Sequence, residues 1–214
     1  MPILGFVTIA AAAYLLGSIP TGYLVGRARG IDIRTIGSGN IGATNAMRVL
    51  GKPAGIFVLL MDALKGYAAC AWLSGWLIAQ FAVAPAQQEG FRIFAGIAAV
   101  LGHNFTCWLR FKGGKGIATS AGVFFALAPL AAGVALGSWL IAFALSRYAS
   151  VASLVAATAL PATVWLTPNS LLLRIVTTAL GLLAIFKHRD NIKRLLHGTE
   201  QRFGQKPSTQ EGVK

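Results

Sequence analysis

Ile117-Ala-Thr-Ser-Ala-Gly-Val-Phe-Phe-Ala-Leu-Ala-Pro-Leu-Ala-Ala-Gly-Val-Ala-Leu-Gly-Ser-Trp-Leu-Ile-Ala-Phe-Ala-Leu-Ser146 contains no charged side chain over 30 residues. A run of that kind suits a bilayer, yet one crossing needs only about 20 apolar residues. Pro129 and Gly133 interrupt it, and Arg147 ends it. A proline inside a helix removes a backbone donor and tends to break the rod. Two short helices would return the chain to the side it left, whereas one long tilted helix would leave Arg147 on the other side. Lys and Arg collect in cytoplasmic loops, so two helices are the preferred reading.

The flanking sequence follows the same logic. Residues 3–25 are apolar and broken by Gly17, Pro20 and Gly22; residues 26–52 then carry Arg27, Arg29, Arg34, Arg48 and Lys52 against one Asp32. That excess predicts a cytoplasmic loop and an external N-terminus. A second run covers about residues 54–84, with Asp62 and Lys65 as an expected mutual pair. Residues 85–90 read as an external linker, with Glu89 and no base. A third run, about residues 91–109, returns to Arg110, Lys112 and Lys115. Residues 151–187 pose the question of 117–146 again, with Thr167-Pro168-Asn169 as the turn and Arg174 snorkelling to the outer interface. Splitting both stretches gives seven transmembrane helices, and splitting neither gives five. The expected fold is an all-α integral membrane bundle, seven helices preferred and five the alternative, with the C-terminus in the cytoplasm. It forms one domain over residues 1–203. Within it, 188–203 are read as an amphipathic surface segment, and 204–214 follow as a disordered tail.

Composition narrows the function classes. The chain has 214 residues, 56% hydrophobic and 12% charged, and a formal charge of +13. Its mean hydropathy is +0.67. In a soluble protein that charge would raise nucleic acid. Here the bases lie between apolar runs, where topology and anionic lipid or substrate account for them, so nucleic acid is not an expected partner. Cys70 and Cys107 lie in apolar runs without CxxC spacing, which argues for packed thiols and against a disulfide framework or a metal. No base precedes Arg27, so the first run reads as a retained helix and not as a signal peptide. No internal repeat is visible, which counts against a transporter of an organic phosphate.

The polar chemistry is concentrated in three clusters on one expected face. Ser38-Gly39-Asn40-Ile41-Gly42-Ala43-Thr44-Asn45 precedes Arg48. Glycines admit close backbone approach, and successive N–H groups can cradle an anion; the same residues also suit a turn and a helix cap. Lys112-Gly113-Gly114-Lys115-Gly116 opens the quoted apolar run. Two ammonium groups on a flexible loop before a helix have the logic of a phosphate loop, although the spacing is not that of a Walker A motif. His188-Arg189-Asp190-Asn191 follows the last run, with His188 and Asn191 spaced to share a helix face and Glu200 downstream. His103 has no aspartate five residues on, since position 108 is Trp, so the histidine–aspartate dyad of CoA-dependent acyltransferases is missing. Ser150 and Ser153 form a smaller cluster beside Arg147.

SGNIGATN with Arg48, Asp62-Ala-Leu-Lys65-Gly66, Gly102-His103-Asn104 leading into FKGGKGIAT, and HRDNIKRLLHGTE together resemble the bacterial acyl-phosphate–glycerol-3-phosphate acyltransferases. The resemblance runs from Gly17 to Glu200. It implies transfer of a fatty acyl group from acyl phosphate to the 1-hydroxyl of glycerol 3-phosphate, giving lysophosphatidic acid and phosphate, the first step of phospholipid synthesis. It implies no metal, no cofactor, and neither CoA nor acyl carrier protein as direct donor. It implies a bacterial inner-membrane, multi-pass enzyme with its site on the cytoplasmic face. Carried over by position, His188, Asn191, Lys115 and Ser153 are the expected catalytic residues. Ser38, Gly39, Asn40, Thr44, Asn45, Arg48, His103, Lys112, Gly113, Gly114, Gly116, Ser150 and Glu200 are the expected substrate-binding residues. The base for the glycerol hydroxyl is His188 or an oxygen of a substrate phosphate, whose second pKa is about 6.

Overall fold

The computed structural model describes residues 2–204, with side chains from Ile3. Among them every regular element is helical. The first apolar run is α1 (Pro2–Ser18) and α2 (Thr21–Arg27), parted at Pro20, which cannot donate to the ladder. A loop leads to α3 (Ala43–Leu50) and α4 (Lys52–Ala68). A wide π turn, Ala69–Leu73, joins α4 to α5 (Ser74–Gln80), and the Ser74 hydroxyl donates to the Cys70 carbonyl there. Next come α6 (Pro85–Asn104), α7 (Ile117–Leu127), α8 (Pro129–Ser146), α9 (Ala149–Leu166), α10 (Leu171–Lys187) and α11 (Arg189–Leu196).

Among the described residues, four helical stretches are long and apolar enough to cross a membrane: Ile3–Arg27, Lys52–Gln80, Pro129–Ser146 and Ala149–Leu166. A fifth is reached if α10 and α11, bent by 53°, are taken together. The chain is thus an all-helical integral membrane protein. The quoted stretch does divide, at Ala128, and both of its ends contact the same cavity, at Lys115–Ala118 and at Ala149–Ser150. The stretch after it divides at Thr167–Ser170. Exposed positions on these helices carry large apolar side chains such as Trp72, Trp76, Ile141 and Leu171, as a lipid-facing surface requires.

Three expectations change. Residues 85–90 are not a linker but the first turns of α6, whose Pro85 occupies a position where its missing N–H costs nothing. The third run stops at Asn104 instead of 109, and Cys107 belongs to a short 3-10 turn, Cys107–Leu109, half-buried. The amphipathic helix ends at Leu196, after which 197–203 folds back as an irregular strap. Apart from Gly204, the expected disordered tail lies outside the described residues.

Close crossings between helices run through glycines. A side chain at Gly17 or Gly102 would strike the backbone of the α6 or α1 partner, and one at Gly66 or Gly122 would strike α7 or α4. Association inside lipid depends on such close packing, because lipid tails are as apolar as the side chains. The main core joins α6–α10 around Ile93, Phe124, Leu160 and Val164. A second cluster gathers Ile9, Leu77 and Phe91, and a third seats the 31–50 segment on α4 through Ile33, Leu50 and Val58.

These packings bring four separate polar segments to one end. The Arg48 Nη2 donates to the Gln201 carbonyl (3.1 Å), the Phe203 N–H to the Arg147 carbonyl (2.9 Å) and the Lys187 Nζ to the Asn104 carbonyl (3.2 Å). At the other end Ser170 donates to Glu89 (2.7 Å).

Candidate active site

A polar cavity of about 140 Å³ opens at the end where these segments meet. Its wall takes Ser38, Asn40, Thr44, Asn45 and Arg48 from the first cluster, and Lys115 and Gly116 from the second. His188, Asn191 and Glu200 come from the third, Ser150 and Ser153 from α9, and His103 from α6. A groove of about 230 Å³ adjoins it, walled almost wholly by apolar side chains of α7–α10. Leu59, Ile117, Ala118 and Trp139 belong to both walls, so polar cavity and apolar groove lie side by side.

Several predicted residues stand elsewhere or are already occupied. The Asn45 amide is spent on its own loop: Oδ1 accepts from the Ser38 N–H (2.9 Å), while Nδ2 donates to the carbonyls of Ile33 (2.9 Å) and Ile36 (3.2 Å). Asn40 Oδ1 closes a turn on the Gly42 N–H (2.8 Å). Gly37 and Gly39 have φ of +64° and +67°, which glycine alone adopts freely. The bland reading of this cluster as a braced turn therefore holds for Asn40 and Asn45, while Ser38, Thr44 and Arg48 remain side chains at the cavity. Lys112, Gly113 and Gly114 lie outside its wall. Lys112 is exposed, and the two glycines are moulded onto the end of α6, with their N–H groups donating to Asn104 (3.2 Å) and His103 (3.0 Å) carbonyls. Gly39 lines an adjacent basic cleft with Lys187, Arg189 and Arg194.

A chain of polar contacts orders the floor. Lys115 Nζ donates to Asn191 Oδ1, Asn191 Nδ2 to Glu200 Oε1 (2.6 Å), and Arg194 Nε to Glu200 Oε2 (2.7 Å). Asn191 thus passes the orientation of a carboxylate to an ammonium. Burial, partly offset by the Glu200 charge, lowers the Lys115 pKa to about 8. Burial would raise the Glu200 carboxyl, but hydrogen bonds led by Asn191 outweigh it and hold the group below its usual range. His188, just beyond the last turn of α10, is lowered to about 4 by burial and then by the Lys115 ammonium. Its Nδ1 lies 2.8 Å from the Ala184 carbonyl, an acceptor only, so Nδ1 carries the proton and Nε2 has the lone pair. Ser153 donates to the Ala149 carbonyl (2.7 Å) and accepts from Trp139 Nε1 (3.4 Å).

Sequence reasoning missed Trp139 and the apolar residues shared with the groove, and it expected Asp62 only as the partner of Lys65, not at the cavity wall. Trp139 had no signal, because only the return of α8 beside α7 brings it to the cavity.

A model of the family described as glycerol-3-phosphate acyltransferase matches residues 7–198. The glycerol-3-phosphate acyltransferase of Methylobacillus flagellatus is 48% identical over 196 residues, covering 91% of this chain and 95% of that one. That of Trichlorobacter lovleyi is 46% identical over 195 residues, covering 90% and 95%. The fold superposes on crystal structures of PlsY, an integral membrane glycerol 3-phosphate acyltransferase. Its glycerol 3-phosphate form gives a TM-score of 0.84 at 38% identity, covering 93% of this chain and 96% of that one, and its lysophosphatidic acid form gives 0.81. This chain therefore belongs to the glycerol-3-phosphate acyltransferase family.

Proposed function

We propose that the enzyme draws its acyl group from an acyl phosphate and transfers it to the 1-hydroxyl of glycerol 3-phosphate at the cytoplasmic face of a bacterial inner membrane. As a family member it is an acyltransferase acting on glycerol 3-phosphate, a step of phospholipid synthesis. The donor assignment rests on one observation: a cavity lined by Arg48, Lys115, His188 and Asn191 shares four wall residues with an adjoining apolar groove. Acyl phosphate has that polarity, an anionic head on a hydrocarbon chain, and needs no room for a nucleotide.

In this reading the acyl chain lies in the groove and the carbonyl carbon sits at the polar junction. Arg48 and Lys115 take phosphate oxygens, and Ser38, Thr44, Asn40 and Ser150 line the rest of the polar wall, with Ser153 and Trp139 closing it. The glycerol hydroxyl oxygen attacks the carbonyl carbon, and the bond from that carbon to the phosphate oxygen breaks. Inorganic phosphate leaves with the bonding pair. The hydroxyl proton goes to His188 Nε2 or to a phosphate oxygen. Since phosphate is already a good leaving group, positioning and charge neutralisation carry most of the barrier.

The crossing count and orientation belong to the same proposal. Seven crossings, with the N-terminus outside and the C-terminus inside, place every loop at the cavity end in the cytoplasm. Arg27, Arg29, Arg110, Arg147, Arg189 and Lys193 then all obey the positive-inside rule. In this reading residues 1–203 are a single membrane-embedded acyltransferase domain.

The test is phosphate release from palmitoyl phosphate by purified protein, coupled to detection of lysophosphatidic acid. Release that depends on glycerol 3-phosphate, and that Lys115→Ala lowers at least about tenfold, is the expected result. Activity with palmitoyl-CoA and none with palmitoyl phosphate would overturn the donor assignment. The residual rate of His188→Ala weighs the histidine against the substrate phosphate as base.

A further inference from the structure

Asp62, Lys65 and His103 form a buried polar group that the reaction scheme above does not use. Asp62 and Lys65 lie one turn apart on α4, and His103 lies in the last turn of α6; each is at least nine-tenths buried. Lys65 Nζ is 2.8 Å from Asp62 Oδ1, 2.9 Å from the Ile19 carbonyl and 2.9 Å from His103 Nδ1. An ammonium has three donors and no lone pair, so all three protons are committed, one of them to Nδ1. Asp62 Oδ1 itself is 3.6 Å from Nδ1, beyond hydrogen-bond reach, and also accepts from Thr21 (3.2 Å).

Nδ1 of His103 is therefore an acceptor, and the ring proton sits on Nε2. Among the described residues Nε2 has no hydrogen-bond acceptor. His103 lines the polar cavity, and Gly114 lies against its Nε2 edge, where any side chain would strike the ring. A neutral N–H donor is thus held at the wall beside the Lys115 loop with nothing of the protein's own to bond. The arrangement is the reverse of His188, whose Nδ1 is protonated and whose Nε2 offers a lone pair.

We propose that His103 donates a hydrogen bond from Nε2 to a phosphate oxygen of the substrate, and that Lys65 and Asp62 are positioning residues that hold it in the donor tautomer. The two cavity histidines then divide the work: one accepts a proton, and the other stabilises charge without giving one up. An isolated buried pair in a membrane helix is costly to keep, and this use supplies a reason for it. The proposal rests on the phosphate-binding reading of the cavity.

Nitrogen NMR of the ¹⁵N-histidine-labelled protein at pH 7, with His103→Gln to assign the signals, reads the tautomer directly. We expect a protonated Nε2, and its resonance shifts when inorganic phosphate is added to saturation. Kinetics supply the second measurement. His103→Asn keeps an acceptor for Lys65 but has no group at the Nε2 position, whereas His103→Gln restores a donor there. His103→Asn should lose at least about tenfold in kcat/KM, the expected cost of one hydrogen bond to a charged group, with its unfolding temperature unchanged. His103→Gln should recover most of that. A proton on Nδ1, a resonance indifferent to phosphate, or a fully active His103→Asn would each overturn the proposal. The NMR result needs no turnover and no variant that folds poorly. Wild-type protein that binds phosphate at Nε2 yet transfers no acyl group would count against the donor assignment and leave this proposal standing.

Discussion

Lys115 stands between two opposing influences, burial that favours its neutral amine and the Glu200 carboxylate that favours its ammonium. With its pKa lowered to about 8, the free enzyme loses this cation as pH rises through that value. In the proposed function the ammonium is the form that binds phosphate, so KM for glycerol 3-phosphate should rise above about pH 8 in an initial-rate profile. Lys115→Arg should remove that alkaline limb, because a guanidinium stays charged throughout. Lys115→Ala should cost roughly 10- to 150-fold in kcat/KM, the equivalent of about 1.5–3 kcal/mol for a charged hydrogen bond. Glu200→Gln keeps an oxygen for Asn191 and removes the negative charge that raises Lys115. Its alkaline limb should move to lower pH; an unmoved limb would mean that another group sets it. The candidate residues were legible at this scale as residue types, but their tasks were not. Asn45 and Lys115 both looked like ligands in the sequence. Only the contacts show one amide committed to its own loop and one ammonium standing in the cavity.

At the scale of elements, the crossing of α4 and α7 positions the cavity. α7 begins immediately after Gly116, so any displacement of α7 moves Lys115. Gly122 faces the Ala63 carbonyl without room for a methyl group. Gly122→Ala should therefore lower stability by about 1–3 kcal/mol, the usual cost of overpacking, seen as a lower unfolding temperature in detergent together with reduced activity. Gly133, on α8, has open space where a side chain would go. Gly133→Ala should be neutral or stabilising by up to about 1 kcal/mol, since alanine is the better helix former. Equal losses in the two variants would refute close packing as the reason for Gly122. The split of 117–146 was legible from length and from Pro129. The helical start of α6 was not, because Pro85, Gln87, Gln88, Glu89 and Gly90 carry no apolar period. Their helix is extended from the apolar residues that follow and is tied at its foot by Gln88 to the Val83 carbonyl (3.1 Å).

For the whole molecule, the strap after α11 closes the cavity end. Phe203 packs edge-on against Phe143, with ring centres 5.4 Å apart, and Glu200 and the Gln201 carbonyl bind Asn191 and Arg48. A chain ended after Gly204 should keep full activity, whereas one ended after Thr199 should insert in the membrane and lose most of it. Orientation is checked with Cys70 and Cys107 replaced by alanine. Asn169→Cys should then react with an impermeant maleimide on intact cells, and Lys112→Cys only after lysis; reaction of both from outside would overturn the proposed topology. The sequence by itself determined that the chain is helical and lives in a membrane, because hydropathy and run length act locally and need no partner. It also determined the family, through ordered motifs from Gly17 to Glu200. The tertiary structure decided which motif residues share a cavity, which amides are already spent, and that the polar cavity adjoins an apolar groove walled mainly by α7–α10. Those outcomes depend on helix crossings set by glycine contacts across the bundle, and no local pattern encodes the side chain that a crossing will bring opposite.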